Sequence, residues 1–99
     1  MSMKDEYQSE QIFRSSWLGA WESVNGNPDV YIFQGYNGRY YLLAYFYDTE
    51  SMRGNFSCYE IDSDENGYYA SIGMTQHRLQ QEDMPFTLSI GTWGDYMKN

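Results

Sequence analysis

The sequence predicts an all-β domain: a small antiparallel meander of six to seven strands that closes as a barrel, preceded by a short helical turn. Three observations carry this. The run Arg39-Tyr40-Tyr41-Leu42-Leu43-Ala44-Tyr45-Phe46-Tyr47-Asp48 is apolar or aromatic on both alternating faces, unlike an ordinary half-wet alternating strand, so it is expected either to be covered on both sides or to leave one side for a partner. Turn chemistry (Asn-Gly, Gly-Asn-Pro, Gly) interrupts the chain at short intervals, as in hairpin-linked strands. No segment beyond residue 16 keeps a 3.6-residue apolar period. A flat sheet would leave one aromatic face of 39–48 wet, whereas a barrel or a sandwich covers it.

The elements follow in order. Residues 1–16 are polar and acidic with Tyr7, Ile12 and Phe13 as anchors, and a helical turn is expected over 8–15. Residues 17–24 form the first strand. Asn25-Gly26-Asn27-Pro28-Asp29 ends it, because Gly supplies positive φ and Pro fixes φ near −65°. Residues 30–34 and 39–48 pair across Gly35-Tyr36-Asn37-Gly38, an Asn-Gly hairpin signal. Residues 55–62 and 68–73 flank a second turn at Asn66-Gly67. Residues 75–81 are polar and fit a strand only weakly, with helix the alternative, and 85–93 give the last strand. Residues 17–93 are thus the barrel domain and 94–99 a frayed tail.

Bulk properties narrow the function classes. Ninety-nine residues make one domain, and 19% aromatic content, including eleven tyrosines, argues against disorder. Fourteen acids against six bases give a net charge of −8, which repels phosphate backbones and anionic membranes. No nucleic-acid or membrane partner is expected. One cysteine, Cys58, excludes an intramolecular disulfide framework. No apolar run approaches the length of a membrane span and none marks a secretory leader, so the expected location is cytoplasmic.

Few residues suggest chemistry. Asp62-Ser63-Asp64-Glu65-Asn66-Gly67 matches the opening of an EF-hand calcium loop, where hard oxygens at alternate positions meet Ca²⁺. Position 12 is Gly73 instead of Glu, and strands replace the flanking helices. The expected reading is an acidic hairpin turn, with a weak Ca²⁺ site at Asp62, Asp64 and Asn66 as the alternative. His77 is the only histidine and lacks a partner at ligand spacing. Cys58 shares a strand face with Phe56 and is expected as a small buried hydrophobe. Glu22 and Glu60 could pair as glycosidase carboxylates, but both are expected to face solvent. No cofactor motif is present. The protein is expected to be no enzyme.

Leu18-Gly19-Ala20-Trp21-Glu22, opening the first strand after a helical turn, resembles the Gly-x-Trp start of the lipocalins and fatty-acid-binding proteins. In that superfamily the Trp plugs one end of an up-and-down barrel and a late-strand Arg packs over it. The resemblance assigns barrel closure to Gly19, Trp21 and Arg78. Lipocalins close with eight strands, so the match implies a shortened calycin-like barrel. In composition the chain is also similar to small uncharacterised proteins of gut Bacteroidetes. Six or seven strands lined with Tyr, Phe and Trp should fill their own lumen, so the lipid-carrying function does not follow from the fold.

The tyrosines are the remaining signal. Each joins an apolar ring to a polar tip, which suits a surface that alternates between wet and buried. Tyr31, Tyr36, Tyr41, Tyr45, Tyr47, Tyr59 and Tyr69 could form a cross-strand ladder on one sheet face. The expected role is a non-catalytic interaction or accessory module that docks a protein partner or a second copy on these rings. The alternative is a small-ligand binding protein of the lipocalin type, for a lipid or a carbohydrate.

Overall fold

The computed structural model describes residues 13–84 and 86–99. Eight antiparallel strands close into a barrel in chain order: β1 (Gly19–Ser23), β2 (Asp29–Gln34), β3 (Tyr40–Asp48), β4 (Arg53–Asp64), β5 (Gly67–Ile72), β6 (Thr75–Gln81), β7 (Thr87–Ile90) and β8 (Asp95–Lys98). The architecture is the expected all-β meander, but it has eight strands where six to seven were predicted. Residues 75–81 are a strand. The extra strand is β8, formed by residues expected as a frayed tail: it pairs with β7 through Leu88↔Tyr96 and with β1 through Trp21↔Lys98. The helical turn expected over 8–15 falls mostly outside the described residues; 3-10 turns occupy Ser15–Trp17 and Gly91–Trp93, the second ending β7 at Ile90, short of the strand expected over 85–93.

Alternation sorts the side chains. On β2 and β3 the even residues Val30, Ile32, Leu42 and Ala44 point inward and are buried. Ile61, Ala70, Leu79, Leu88, Ile90 and Tyr96 complete the interior, and several of these expose nothing to solvent. Aromatic groups fill both ends. At one end Phe13 stacks on Tyr40 with centroids 3.7 Å apart and meets Trp17 and Tyr68 edge-on. At the other end Trp93 packs beside Phe46 and His77, and its carbonyl accepts a bond from Asn27 Nδ2 at 2.6 Å. The lumen is therefore occupied by side chains although the strand count reaches eight. The strands are short, and the rings at both ends are large.

The closure around Trp21 differs from expectation in one residue. Trp21 is buried, and its Nε1 donates to the Trp17 carbonyl at 2.7 Å. The cation over its ring is Lys98 of β8, with Nζ 4.8 Å from the centroid. The same ammonium donates to the carbonyls of Ser16, at 2.9 Å, and Leu18. Arg78 does not take part. Its neighbours His77 and Leu79 point inward, so Arg78 points outward, where it pairs with Asp64 and covers the Tyr69 ring.

The wall is uneven. The β3–β4 ladder runs nine residue pairs, from Tyr40↔Ile61 to Asp48↔Arg53. The β4–β5 ladder has only four, from Ile61↔Ala70 to Asp64↔Gly67. The β3–β4 hairpin thus overhangs the barrel at the Trp93 end. Asp48 shapes its tip by accepting bonds from the Glu50 amide and the Ser51 hydroxyl.

Candidate functional site

The odd residues of β3 face outward, and the β-ladder places them beside outward residues of β2 and β4. Phe33 lies opposite Tyr41, Tyr31 opposite Leu43, and Tyr45 opposite Phe56. The rings contact one another: Tyr31 with Phe33 at 6.2 Å, Phe33 with Tyr41 at 5.5 Å, Tyr45 with Phe56 at 4.9 Å and Tyr45 with Tyr47 at 6.4 Å. The outer wall of β2–β3–β4 therefore carries two aromatic clusters, Tyr31–Phe33–Tyr41 and Tyr45–Tyr47–Phe56, with the apolar Leu43 between them on β3. Tyr31 and Tyr47 are about half exposed and Phe56 is 65% exposed. No described residue covers them.

Local contacts fix the shape of this surface. The Tyr45 phenol lies flat against Gly54, where a Cβ would come within 2.0 Å of its hydroxyl oxygen. Only glycine leaves room for that ring. Asn37 Nδ2 donates to the Tyr41 hydroxyl at 2.8 Å, which ties the wall to the β2–β3 turn. Arg39 pairs with Glu60 at the rim. A groove of about 380 Å³ opens beside the hairpin, lined by Asn27, Pro28, Asp29, Tyr45, Phe46 and Tyr47.

Of the tyrosines expected to form a ladder, Tyr31, Tyr41, Tyr45 and Tyr47 share this wall. Tyr36 stands exposed at the β2–β3 turn. Tyr59 does not belong to the wall: its odd position on β4 turns it inward, against the core. Tyr69 also stands apart, on β5 beneath Arg78. Leu43 shares the wall face with Tyr41, Tyr45 and Tyr47, as its alternation on β3 requires, whereas Phe33 and Phe56 belong to the wall and were missed. Their signal was the parity of β2 and β4, which becomes legible only once the register with β3 is known. Cys58 is exposed rather than buried. It shares the outward face with Phe56, as its spacing required, and lies opposite Leu43.

The other candidates do not converge. Both Asp64 oxygens are engaged by Arg78, at 2.8 and 2.6 Å, and one also accepts the Asn66 amide. These bonds, the arginine's first, hold the Asp64 carboxyl below its usual range. Asp62 and Asn66 are left without the shared acidic ligand, and no three His, Cys, Asp or Glu among the described residues could hold a metal ion. Glu22 lies on β1 and Glu60 on β4, with β2 and β3 between them. His77 is buried beside Trp93, with Thr92 Oγ1 at 3.5 Å from Nδ1.

One family model, described as "Domain of unknown function, B. Theta Gene description (DUF3876)", matches residues 3–98. No curated protein and no solved structure matches the chain.

Proposed function

We propose, for a chain that belongs to this family of domains of unknown function, a non-catalytic role in which the aromatic outer wall of β2–β3–β4 docks a protein partner. One observation carries the reading: the wall is uncovered while the interior is already filled. A connected apolar surface costs solubility unless something uses it, and tyrosines at a rigid sheet are good anchors for a partner. The net charge of −8 favours a partner other than nucleic acid or an anionic membrane. The separation of Glu22 from Glu60 supports binding over catalysis. Kinship with the lipocalins is supported by Gly19 and Trp21 on the first strand and by a last-strand cation over that Trp.

A photo-cross-linking residue placed at Tyr45, in cells that naturally express the chain, tests the reading. Met97, exposed on the opposite wall, serves as the control position. Discrete protein adducts from position 45 alone are expected. Identical products from both positions would sink the proposal.

The groove of Pro28, Asp29, Tyr45, Phe46 and Tyr47 supports a second reading, in which a carbohydrate ring stacks on Tyr45 or Tyr47. Saturable change in tyrosine fluorescence on titration with neutral oligosaccharides, lost in Tyr47→Ser, is the expected result. No change across the series rejects it.

A further inference from the structure

We propose that the docking partner includes a second copy of this chain, joined by antiparallel pairing of the open edge of β4. This rests on the outer wall being an interaction surface, and it names the occupant.

The edge itself is the first argument. Arg53 through Ile61 all have partners on β3, but on the other side β5 reaches only Ile61 through Asp64. Among the described residues, no strand pairs with 53–60 on that side. Alternate amides and carbonyls there are left to water. Such an edge templates another strand unless charge, proline or a bulge blocks it. Gly54-Asn55-Phe56-Ser57-Cys58-Tyr59 contains no charge and no proline.

Charge selects the occupant. Self-association of a chain with net charge −8 is opposed by repulsion, and the contact must fall where acids are missing. No acid lies between Glu50 and Glu60, and Arg53 is the one charged residue in that interval. A foreign partner drawn to this protein by electrostatics would be drawn to its acidic faces. The open edge of β4 is a place where two copies can meet without stacking carboxylates.

Symmetry limits the register, and the exposure of Phe56 selects it. A two-fold axis normal to the sheet keeps both outer faces on one side, so outward residues must oppose outward residues. An axis through Phe56 sets Phe56 against Phe56 of the second copy, Gly54 against Cys58, Asn55 against Ser57 and Arg53 against Tyr59. Phe56, the most exposed ring of the wall's β4 side, becomes a central cross-strand pair. The strands β2, β3 and β4 of both copies then form one six-stranded sheet, with the aromatic clusters of both outer walls on the same side.

Sedimentation velocity over about a hundredfold range of concentration reads the equilibrium, since mass action shifts monomer to dimer. The intact chain is expected to dimerise, and Phe56→Lys, which sets two like charges face to face at the axis, is expected to stay monomeric. The register is tested in a Cys58→Ser background. There Phe56→Cys is expected to form a covalent dimer under mild oxidation, because directly opposed strand positions come within disulfide reach. Met97→Cys in the same background is not. A chain that is monomeric throughout, a dimer indifferent to Phe56→Lys, or cross-linking from Met97→Cys would each overturn the proposal. A monomer whose position 45 still cross-links to another protein would reject the dimer and keep the wider reading. A monomer with no position-specific adduct at residue 45 rejects both.

Discussion

Lys98 shows how one side chain can close a barrel. Its ammonium sits over the Trp21 ring and donates to two carbonyls of the chain entering β1, and burial pulls its pKa down. Lys98→Met keeps the aliphatic stem and removes the charge and the bonds. It is expected to lower stability by about 1–2 kcal/mol, read as a shift in the urea midpoint. His77 gives a pH signature. Burial holds its pKa below the ordinary 6.5, so the unfolded chain takes up a proton at a pH where the folded chain does not. Stability supplied by the neutral ring is complete above about pH 6.5 and is lost as pH falls from there through the lower folded value. Urea midpoints measured from pH 8 to pH 5 (the window set by this titration) should drop less steeply for His77→Gln than for the unmodified chain. An unchanged slope in the variant counts against the assignment. At Asp64 the arginine already occupies the oxygens that a cation would need. Calcium on the order of 5–10 mM, the range of weak extracellular-type sites, is therefore expected to leave the melting temperature where it was.

At the scale of elements, β3 was the most legible part of the chain. Its two apolar faces required cover on both sides or an uncovered side, and the structure chooses the second. Leu42 and Ala44 are buried, while Tyr45 and Tyr47 are exposed. Which face would turn inward could not be read, because both carry rings. Selection comes from size: Leu42 and Ala44 fit a narrow lumen that Tyr41 and Tyr45 would overfill. Cys58 and Arg78 were misplaced for a related reason, since parity without register does not say which set of alternate residues faces the core. β8 was illegible. Asp95-Tyr96-Met97-Lys98 has no period to detect, and its strand geometry comes from the two edges it bridges. The same contrast separates core from wall in stability. Leu42→Ala is expected to cost about 2–5 kcal/mol. Tyr47→Ser on the overhanging hairpin should stay within about 0.5 kcal/mol, as exposed substitutions do. Equal losses in urea unfolding would mean that the wall is structural rather than available for binding.

For the whole molecule, closure is the decisive event, because a meander of short strands has no stable open form. Each strand holds its neighbour only if the last meets the first, and that junction depends on four residues of β8. Tyr96 is its anchor. The residue exposes nothing to solvent, and its hydroxyl donates at 2.7 Å to the carbonyl of Pro28, across the barrel mouth in the β1–β2 connection. Burial pushes the pKa of the phenol up, so the hydroxyl remains a donor. A domain of this size has about 5–15 kcal/mol of net stability. Tyr96→Phe removes the one hydrogen bond and leaves the part-buried Pro28 carbonyl short of a partner, a loss of about 1–2 kcal/mol that the fold should withstand. Tyr96→Ala removes the ring as well, at about 3–5 kcal/mol, and unlinks β7 from β1. Unfolding followed by Trp fluorescence should stay a single cooperative transition in Tyr96→Phe. In Tyr96→Ala, chemical-shift dispersion should be lost across all strands together. A Tyr96→Ala protein that kept β2–β4 folded while β7 and β8 melted would show that the sheet is stable without being closed, and that the barrel is an assembly of independent hairpins.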